Sequence, residues 1–330
     1  MPKALQREQK LPKARELSFS KKKILVTGGA GFIGYHLVRR LHSLHAETVV
    51  VDPFPMGVGA FDAMKESVQL VTMFFAEYLG HPSTDLSAFD IVFHLAGNGL
   101  PMLSVEKPAM DFEQNLVNTF RLLDALRTTG RPPLLVNMSS AAVYGNPSTM
   151  PIREDDPVLP MSPYGVSKLT GERYSAVFGS LYNIRTVNVR PFSVYGPGLR
   201  KQVVYDTMQK LRNDERFLEL FGDGKQKRDF VYISDLIEAL LLIASGAPGH
   251  GEAYNVASGK STTIAELVDM ICELQNVHPK RRYSGKTRPG EPERWEVDIE
   301  RLRSLGFLPI VTLKEGLKET IEWFQKQPHP

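Results

Sequence analysis

Tyr164 and Lys168 stand four residues apart in the run Tyr164-Gly165-Val166-Ser167-Lys168. At helical pitch that spacing puts a phenol and an ammonium on one face. A tyrosine titrates at about 10, too high for a base at neutral pH. A nearby cation favours the phenolate and lowers that value. The pair then suits proton removal from an alcohol whose carbon is being oxidised. A solvated helix face offers the same spacing, so a third group has to discriminate. Met138-Ser139-Ser140 follows an apolar run, and a serine at a strand end can hydrogen-bond the reacting oxygen. Ser140 is the first candidate and Ser139 the second.

Such an oxidation needs an acceptor, and the N-terminal third supplies a place for one. Thr27-Gly28-Gly29-Ala30-Gly31-Phe32-Ile33-Gly34 directly follows the apolar Ile24-Leu25-Val26. Strand, glycine turn and helix in that order hold a dinucleotide pyrophosphate. Gly28 allows the tight turn, Gly31 lets backbone approach phosphate, and Gly34 lets helix pack on strand. The helix start at Phe32, Ile33 and Gly34 presents free N–H groups to the anion. Asp52 ends Thr48-Val49-Val50-Val51. A carboxylate there accepts from the ribose 2′-OH and repels a 2′-phosphate, which selects NAD over NADP.

The elements that must position these groups alternate along the chain. Strands are expected at 24–27, 48–52, 90–95, 134–139 and 185–190, with helices at 32–44, 109–129, 163–181, 234–244 and 263–275. Alternation of this kind implies an α/β, doubly wound parallel sheet. After Arg190 the texture turns Pro- and Gly-rich, and a smaller C-terminal α/β lobe is expected. Residues 1–20 read as a polar tail and 21–190, with 228–256 returning, as the NAD-binding domain. The substrate lobe comprises 191–227 and 257–330.

The chain has 330 residues, 42% of them hydrophobic and 23% charged, values ordinary for a globular protein. A net charge of +3 with no basic stripe argues against nucleic acid. Of the two short basic runs, Lys21–Lys23 solubilises a strand edge and Lys280-Arg281-Arg282 could hold an anionic ligand. The single cysteine, Cys272, forms no internal disulfide, which points to a reducing, cytoplasmic setting. No apolar run reaches the ~18 residues that span a membrane. No metal site is expected.

These pieces together resemble an extended short-chain dehydrogenase/reductase of the NAD-dependent nucleotide-sugar epimerase/dehydratase family, of the UDP-glucose 4-epimerase kind. The resemblance runs from TGGAGFIG (27–34) through HLAG (94–97), SSAAVYG (139–145), YGVSK (164–168) and RPFSVYGPG (190–198). It continues in GDGKQKRDFVYISDL (222–236) and RPGEPERWEVD (288–298). It implies a Rossmann-like fold, a nucleoside-diphosphate-sugar substrate and a homodimer built through helices near 109–129 and 163–181. By position it implies Ser140, Tyr164 and Lys168 as the catalytic trio. It puts Ala96, Tyr164 and Lys168 beside the coenzyme, and Asn115 near the site. Ser140 and Ser193 would meet the sugar nucleotide, and Arg228 and Arg288 would grip its diphosphate.

Three positions depart from the family pattern. Ala141 and Ala142 replace the acidic groups that dehydratases and decarboxylases carry, which disfavours elimination chemistry. Ser193 stands where many relatives have asparagine. The Gly-Asp pair that meets adenine is not evident around Val71–Tyr78. The expected activity is epimerisation at C4 through a transient 4-keto sugar. A net dehydrogenase or 4-ketoreductase is the first alternative and a non-catalytic NAD sensor the second. Replacement of Tyr164 by Phe is expected to abolish most turnover in an epimerisation assay while NAD stays bound; unchanged turnover would overturn the assignment.

Overall fold

The computed structural model describes residues 19–54, 60–286 and 292–328. Its twelve strands are β1 (Lys23–Thr27), β2 (Glu47–Val51), β3 (Val68–Val71), β4 (Ile91–His94), β5 (Leu134–Met138) and β6 (Thr186–Pro191), then β7 (Ser193–Tyr195), β8 (Phe217–Leu220), β9 (Lys227–Tyr232), β10 (His250–Val256), β11 (Ser261–Thr263) and β12 (Lys280–Tyr283). Seven of them form one sheet in the order β10-β6-β5-β4-β1-β2-β3, every pair parallel. The chain enters at β1, works outward to β3, and crosses back to β4. The strand order therefore reverses between β1 and β4, and a crevice opens there at the carboxyl ends, where ligands bind in such sheets.

Burial explains why the central strands are mainly apolar. All residues of β4, β5 and β6 are buried, as expected when helices cover both faces. Ile24 and Val26 join Leu37, Leu41 and Leu236 on one face, whereas Leu25 joins Leu122, Leu123 and Phe178 on the other. That alternation follows the two-residue period of a strand. The helix Phe32–Ser43 buries Gly34, Leu37, Val38 and Leu41, an i, i+3, i+4, i+7 stripe. The helices Pro163–Tyr182 and Ile233–Gly246 complete the layers.

Two regions differ from the sequence expectation. The helix expected at 109–129 runs unbroken from Pro108 to Arg127, but with a π-helical turn, Phe112–Val117, set between Pro108–Asp111 and Asn118–Arg127. A further short helix, Pro101–Glu106, precedes it; Lys107 separates the two with φ −134° and ψ 66°, because the ring of Pro108 bars the preceding residue from helical geometry. The region after Arg190 is more regular than its prolines suggest. A three-stranded sheet, β11-β9-β7, and a two-stranded one, β12-β8, lie there with the helices Gln202–Asn213, Ile264–Gln275 and Leu313–Gln325. Thr263 and Thr312 start the last two helices with reciprocal caps to Glu266 and Glu315. Among the described residues no helix is long and apolar enough to cross a membrane.

The close packing of the first helix on the first strand rests on Gly34. A Cβ there would stand 2.3 Å from the Gly28 carbonyl oxygen and 2.6 Å from Gly29 Cα. Gly34→Ala is expected to destabilise by about 1–3 kcal/mol and to weaken NAD binding, read by thermal melting and by coenzyme titration.

Candidate active site

The glycine turn lies at the mouth of the crevice. Gly28 has φ +69°, and a Cβ on it would meet the Ala96 backbone nitrogen at 2.8 Å. Backbone bonds from Gly28 N to Val51 O (2.8 Å) and from Gly31 N to Gly28 O (3.1 Å) hold the turn against β2. The following helix has no side-chain cap at Gly31 and no acidic residue in its first turn. The N–H groups of Phe32, Ile33 and Gly34 are thus left for an anion. At the tip of β2 the buried Asp52 accepts from Ala30 N at 3.1 Å through Oδ2, and from Phe54 N at 2.9 Å through Oδ1. Each oxygen keeps a lone pair for a ribose hydroxyl. Burial pushes its carboxyl above the usual range, and the two N–H donors oppose that. A turn that any Cβ would fill, uncapped helix donors and a carboxylate at this tip fit a dinucleotide.

Ser140 and Tyr164 approach from two neighbouring elements. Ser140 is half-buried at the end of β5, where its hydroxyl caps the short turn Ala141–Tyr144 by accepting from Ala142 N at 3.1 Å. Tyr164 lies in the first turn of the helix Pro163–Tyr182. That turn is started by Pro163 and by the Ser162 hydroxyl, which accepts from Gly165 N at 3.2 Å. Lys168 follows one turn later, its Nζ donating to the Met138 carbonyl at 3.0 Å and lying 5.8 Å from the Tyr164 ring centroid. The fold thus brings Ser140, Tyr164 and Lys168 together. It also separates the two serines. Ser139 donates its hydroxyl at 2.5 Å to Glu172, which is salt-bridged to Arg190, so Ser139 is committed to the interior and Ser140 is left at the crevice.

The electrostatics of the pair differ from the sequence expectation. Burial pushes the Tyr164 phenol up to about 12, although the Ser140 hydrogen bond opposes it. Burial likewise pushes Lys168 down to about 8. Loss of water outweighs the cation, which points at a carbonyl and at the ring face. A lowered phenol therefore requires further positive charge in the crevice.

Around the trio lies a polar belt that sequence reasoning largely missed. Asp111 accepts from Asn98 Nδ2 at 3.0 Å, Asn115 Nδ2 at 2.8 Å and Ser167 Oγ at 2.9 Å. The π turn swings Asn115 inward, against the backbone of Gly97. In β4, His94 bonds the Thr27 hydroxyl at 2.8 Å through Nδ1, and burial pushes its ring down to about 3, so it is neutral. Thr27 Oγ1 also receives Ala96 N at 3.2 Å, which pins Ala96 beside the glycine turn. Lys201 reaches across to the Gly99 carbonyl at 3.2 Å. At the tips of β2 and β3, the exposed Phe54 and Phe74 meet edge to face at 6.1 Å, in the neighbourhood where the Gly-Asp pair was missing. HLAG pointed to the β4 loop, but no sequence signal marked Asp111 or Phe74.

Ser193 heads β7, in register with Phe230 of β9. Arg228 lies two residues earlier on β9, its guanidinium 5.4 Å from the Trp295 ring centroid and donating to Lys227 O at 2.9 Å. The far edge of Trp295 packs on Phe192 at 5.3 Å, which connects Arg228 to the start of β7. Arg288 lies outside the described residues. The basic run 280–282 lies in β12, paired with β8, and its Arg281 is ion-paired with Asp269.

A glycine-turn βαβ unit with a Ser-Tyr-Lys group at the carboxyl ends of one parallel sheet defines an NAD-dependent enzyme of the extended short-chain dehydrogenase/reductase class. The NAD dependent epimerase/dehydratase family matches residues 24–257, and the chain belongs to that family. It is 33% identical over 312 residues to a UDP-glucose 4-epimerase of Mycolicibacterium smegmatis, covering 92% of this chain and 98% of that one. A crystal structure of a UDP-galactose 4-epimerase superposes with a TM-score of 0.80 at 33% identity, over 92% of this chain and 99% of the other. The UDP-glucuronic acid 4-epimerase of Bacillus cereus, solved with UDP-glucuronic acid and NAD, gives 0.82 at 29% identity over 92% and 99%.

The two serines are expected to separate by assay. Ser139→Ala should cost about 1–3 kcal/mol of stability with turnover little changed, whereas Ser140→Ala should lower kcat by about 100-fold with the melting temperature kept.

Proposed function

We propose that this chain epimerises a nucleoside-diphosphate sugar at C4 through a transient 4-keto sugar, with a UDP-hexose as substrate. The observation that carries this reading is the convergence of Ser140, Tyr164 and Lys168 at the carboxyl ends of the sheet, beside the glycine turn. The names of the three relatives given above, each a UDP-sugar 4-epimerase, support the choice of sugar nucleotide and carbon.

Tyr164, as phenolate, takes the proton of the C4 hydroxyl and later returns it. Ser140 hydrogen-bonds the same oxygen and keeps it aligned through both transfers. Lys168 stabilises the phenolate and holds the nicotinamide ribose. Bound on Gly28, Gly31, Phe32, Ile33, Gly34, Asp52 and Ala96, NAD supplies the hydride acceptor and donor for the sugar carbon. The keto sugar turns over in the site, so that the returned hydrogen arrives on its other face. Proximity and a tuned base are the protein's contribution. Ala141 and Ala142 offer no acid or base, so the keto sugar is not drained into elimination.

In this assignment residues 21–190 with 228–256 carry the coenzyme, and 191–227 with 257–330 carry the substrate. Ser193 and Arg228 face the sugar nucleotide, and Arg288 is assigned to its diphosphate by the family motif alone. Guanidinium forks suit the diphosphate. Phe54 and Phe74 take the adenine end in place of the missing acidic pair. A homodimer is supported by the apolar residues left in water on two adjacent helical segments: Phe112 and Phe120 on one, Val166, Val177 and Leu181 on the other. The lone, buried Cys272 accords with a cytoplasmic setting.

The test is proton NMR of the purified protein, without added coenzyme, against UDP-, GDP-, CDP- and dTDP-sugars. A second anomeric signal growing to a constant ratio, with a UDP-hexose, is the expected result. A substoichiometric keto product, with reduced coenzyme left on the protein, would overturn it in favour of a dehydrogenase.

A further inference from the structure

We propose that Asp111 is a positioning residue for the proton-transfer pair: a buried carboxylate that orients Asn115 and Ser167 and balances the charge of Lys168. The inference rests on the roles of Tyr164 and Lys168 given above. Asp111 has no exposed surface. Its Oδ1 takes Asn98 Nδ2 and Asn115 Nδ2, and its Oδ2 takes Ser167 Oγ. Among the described residues it makes no ion pair with arginine, lysine or histidine. A carboxylate drawn out of water without an ion pair is costly, so its charge must be answered at longer range.

The geometry provides the answer. The three donors come from the loop after β4, from the π turn, and from the helix Pro163–Tyr182 at the residue directly before Lys168. One carboxylate therefore sets the rotation of that helix, the inward turn of Asn115 and the path of the β4 loop. Asp111 acts electrostatically on both Tyr164 and Lys168. A negative charge favours the ammonium and disfavours the phenolate. At Lys168 it opposes burial, so that the ammonium is pushed down only to about 8 and stays charged at neutral pH. The other titratable group facing Lys168 is His94, which is neutral. The remaining polar contacts of the pair, Ser140, the Ser104 hydroxyl that meets Tyr164 N and the Met138 carbonyl, carry no charge.

Asp111→Asn keeps the size and an acceptor but removes the charge. In the NAD-loaded enzyme, both limbs of the pH profile of kcat are expected to move to lower pH by roughly one unit. Ultraviolet difference titration of the Tyr164 phenol, with Tyr164→Phe as blank, should move the same way. Uniformly lower turnover with an unmoved profile and an unmoved phenol would mean a purely structural role and overturn the proposal. If circular dichroism shows Asp111→Asn unfolded, Ser167→Ala decides: removing a donor from Oδ2 leaves the charge less screened and should raise the phenol's titration midpoint. No movement there overturns the proposal. Should the wild-type protein epimerise none of the sugars, the functional reading fails; the phenol titration needs no substrate and still decides the role of Asp111.

Discussion

An ammonium drawn out of water, next to a phenol drawn out of water, is the arrangement on which the rest of this molecule depends. Lys168 has no carboxylate in contact; its Nζ meets a main-chain carbonyl of β5 and the face of Tyr164. Burial alone pushes both groups towards their neutral forms. That costs stability, and the surrounding elements are arranged to hold the two in place. The end of β5 supplies the carbonyl and Ser140. The first turns of one helix supply Tyr164, Ser167 and Lys168, and the π turn supplies Asn115.

Behind the pair a second polar network keeps these elements in register. Arg190 of β6 pairs through Nε and Nη2 with both oxygens of Glu172, at 2.8 and 2.7 Å. Its Nη1 donates to Tyr144 OH at 2.7 Å, and Tyr144 OH donates to Asn255 of β10 at 2.7 Å. The Asn255 main-chain N–H donates to Glu154, which faces Arg301. Burying a charged pair is favourable only when its remaining donors and acceptors are satisfied, and here they are. The network joins the end of β5, β6, β10 and the helix Pro163–Tyr182 to Arg301, so elements far apart in the chain share one polar interior. Burial pushes the Tyr144 phenol up to about 12, against the neighbouring guanidinium and the hydrogen bonds of this network. Tyr144 is therefore a neutral, structural phenol.

Beyond β6 a smaller sheet takes over. In β11-β9-β7, Arg228 and Ser193 stand on adjacent strands, and Trp295 lies between Arg228 and Phe192. On the reading proposed above these side chains meet the sugar nucleotide, on a sheet separate from the one that holds the glycine turn.

What the sequence determined by itself is local. Gly28, Gly31 and Gly34 follow from backbone sterics within eight residues. Tyr164 and Lys168 share a face because a helix has a fixed pitch, and apolar runs announce buried parallel strands. The order of those runs was enough for β1, β2, β4, β5 and β6, the glycine turn and the Tyr-Lys pair, while the short edge strand β3 was not among the expected strands. The tertiary structure decided whatever depends on residues far apart in the chain. Ser139 and Ser140 are chemically equal neighbours until Glu172, 33 residues on, claims the first. Asp111 gains its place only when Ser167, 56 residues on, arrives at its carboxylate. The helix expected at 109–129 is present, but the π turn within it, Phe112–Val117, carries no local signal. The direction in which Tyr164 shifts was not local either: charge near a phenol can be read from spacing, but loss of water is a property of everything packed around it.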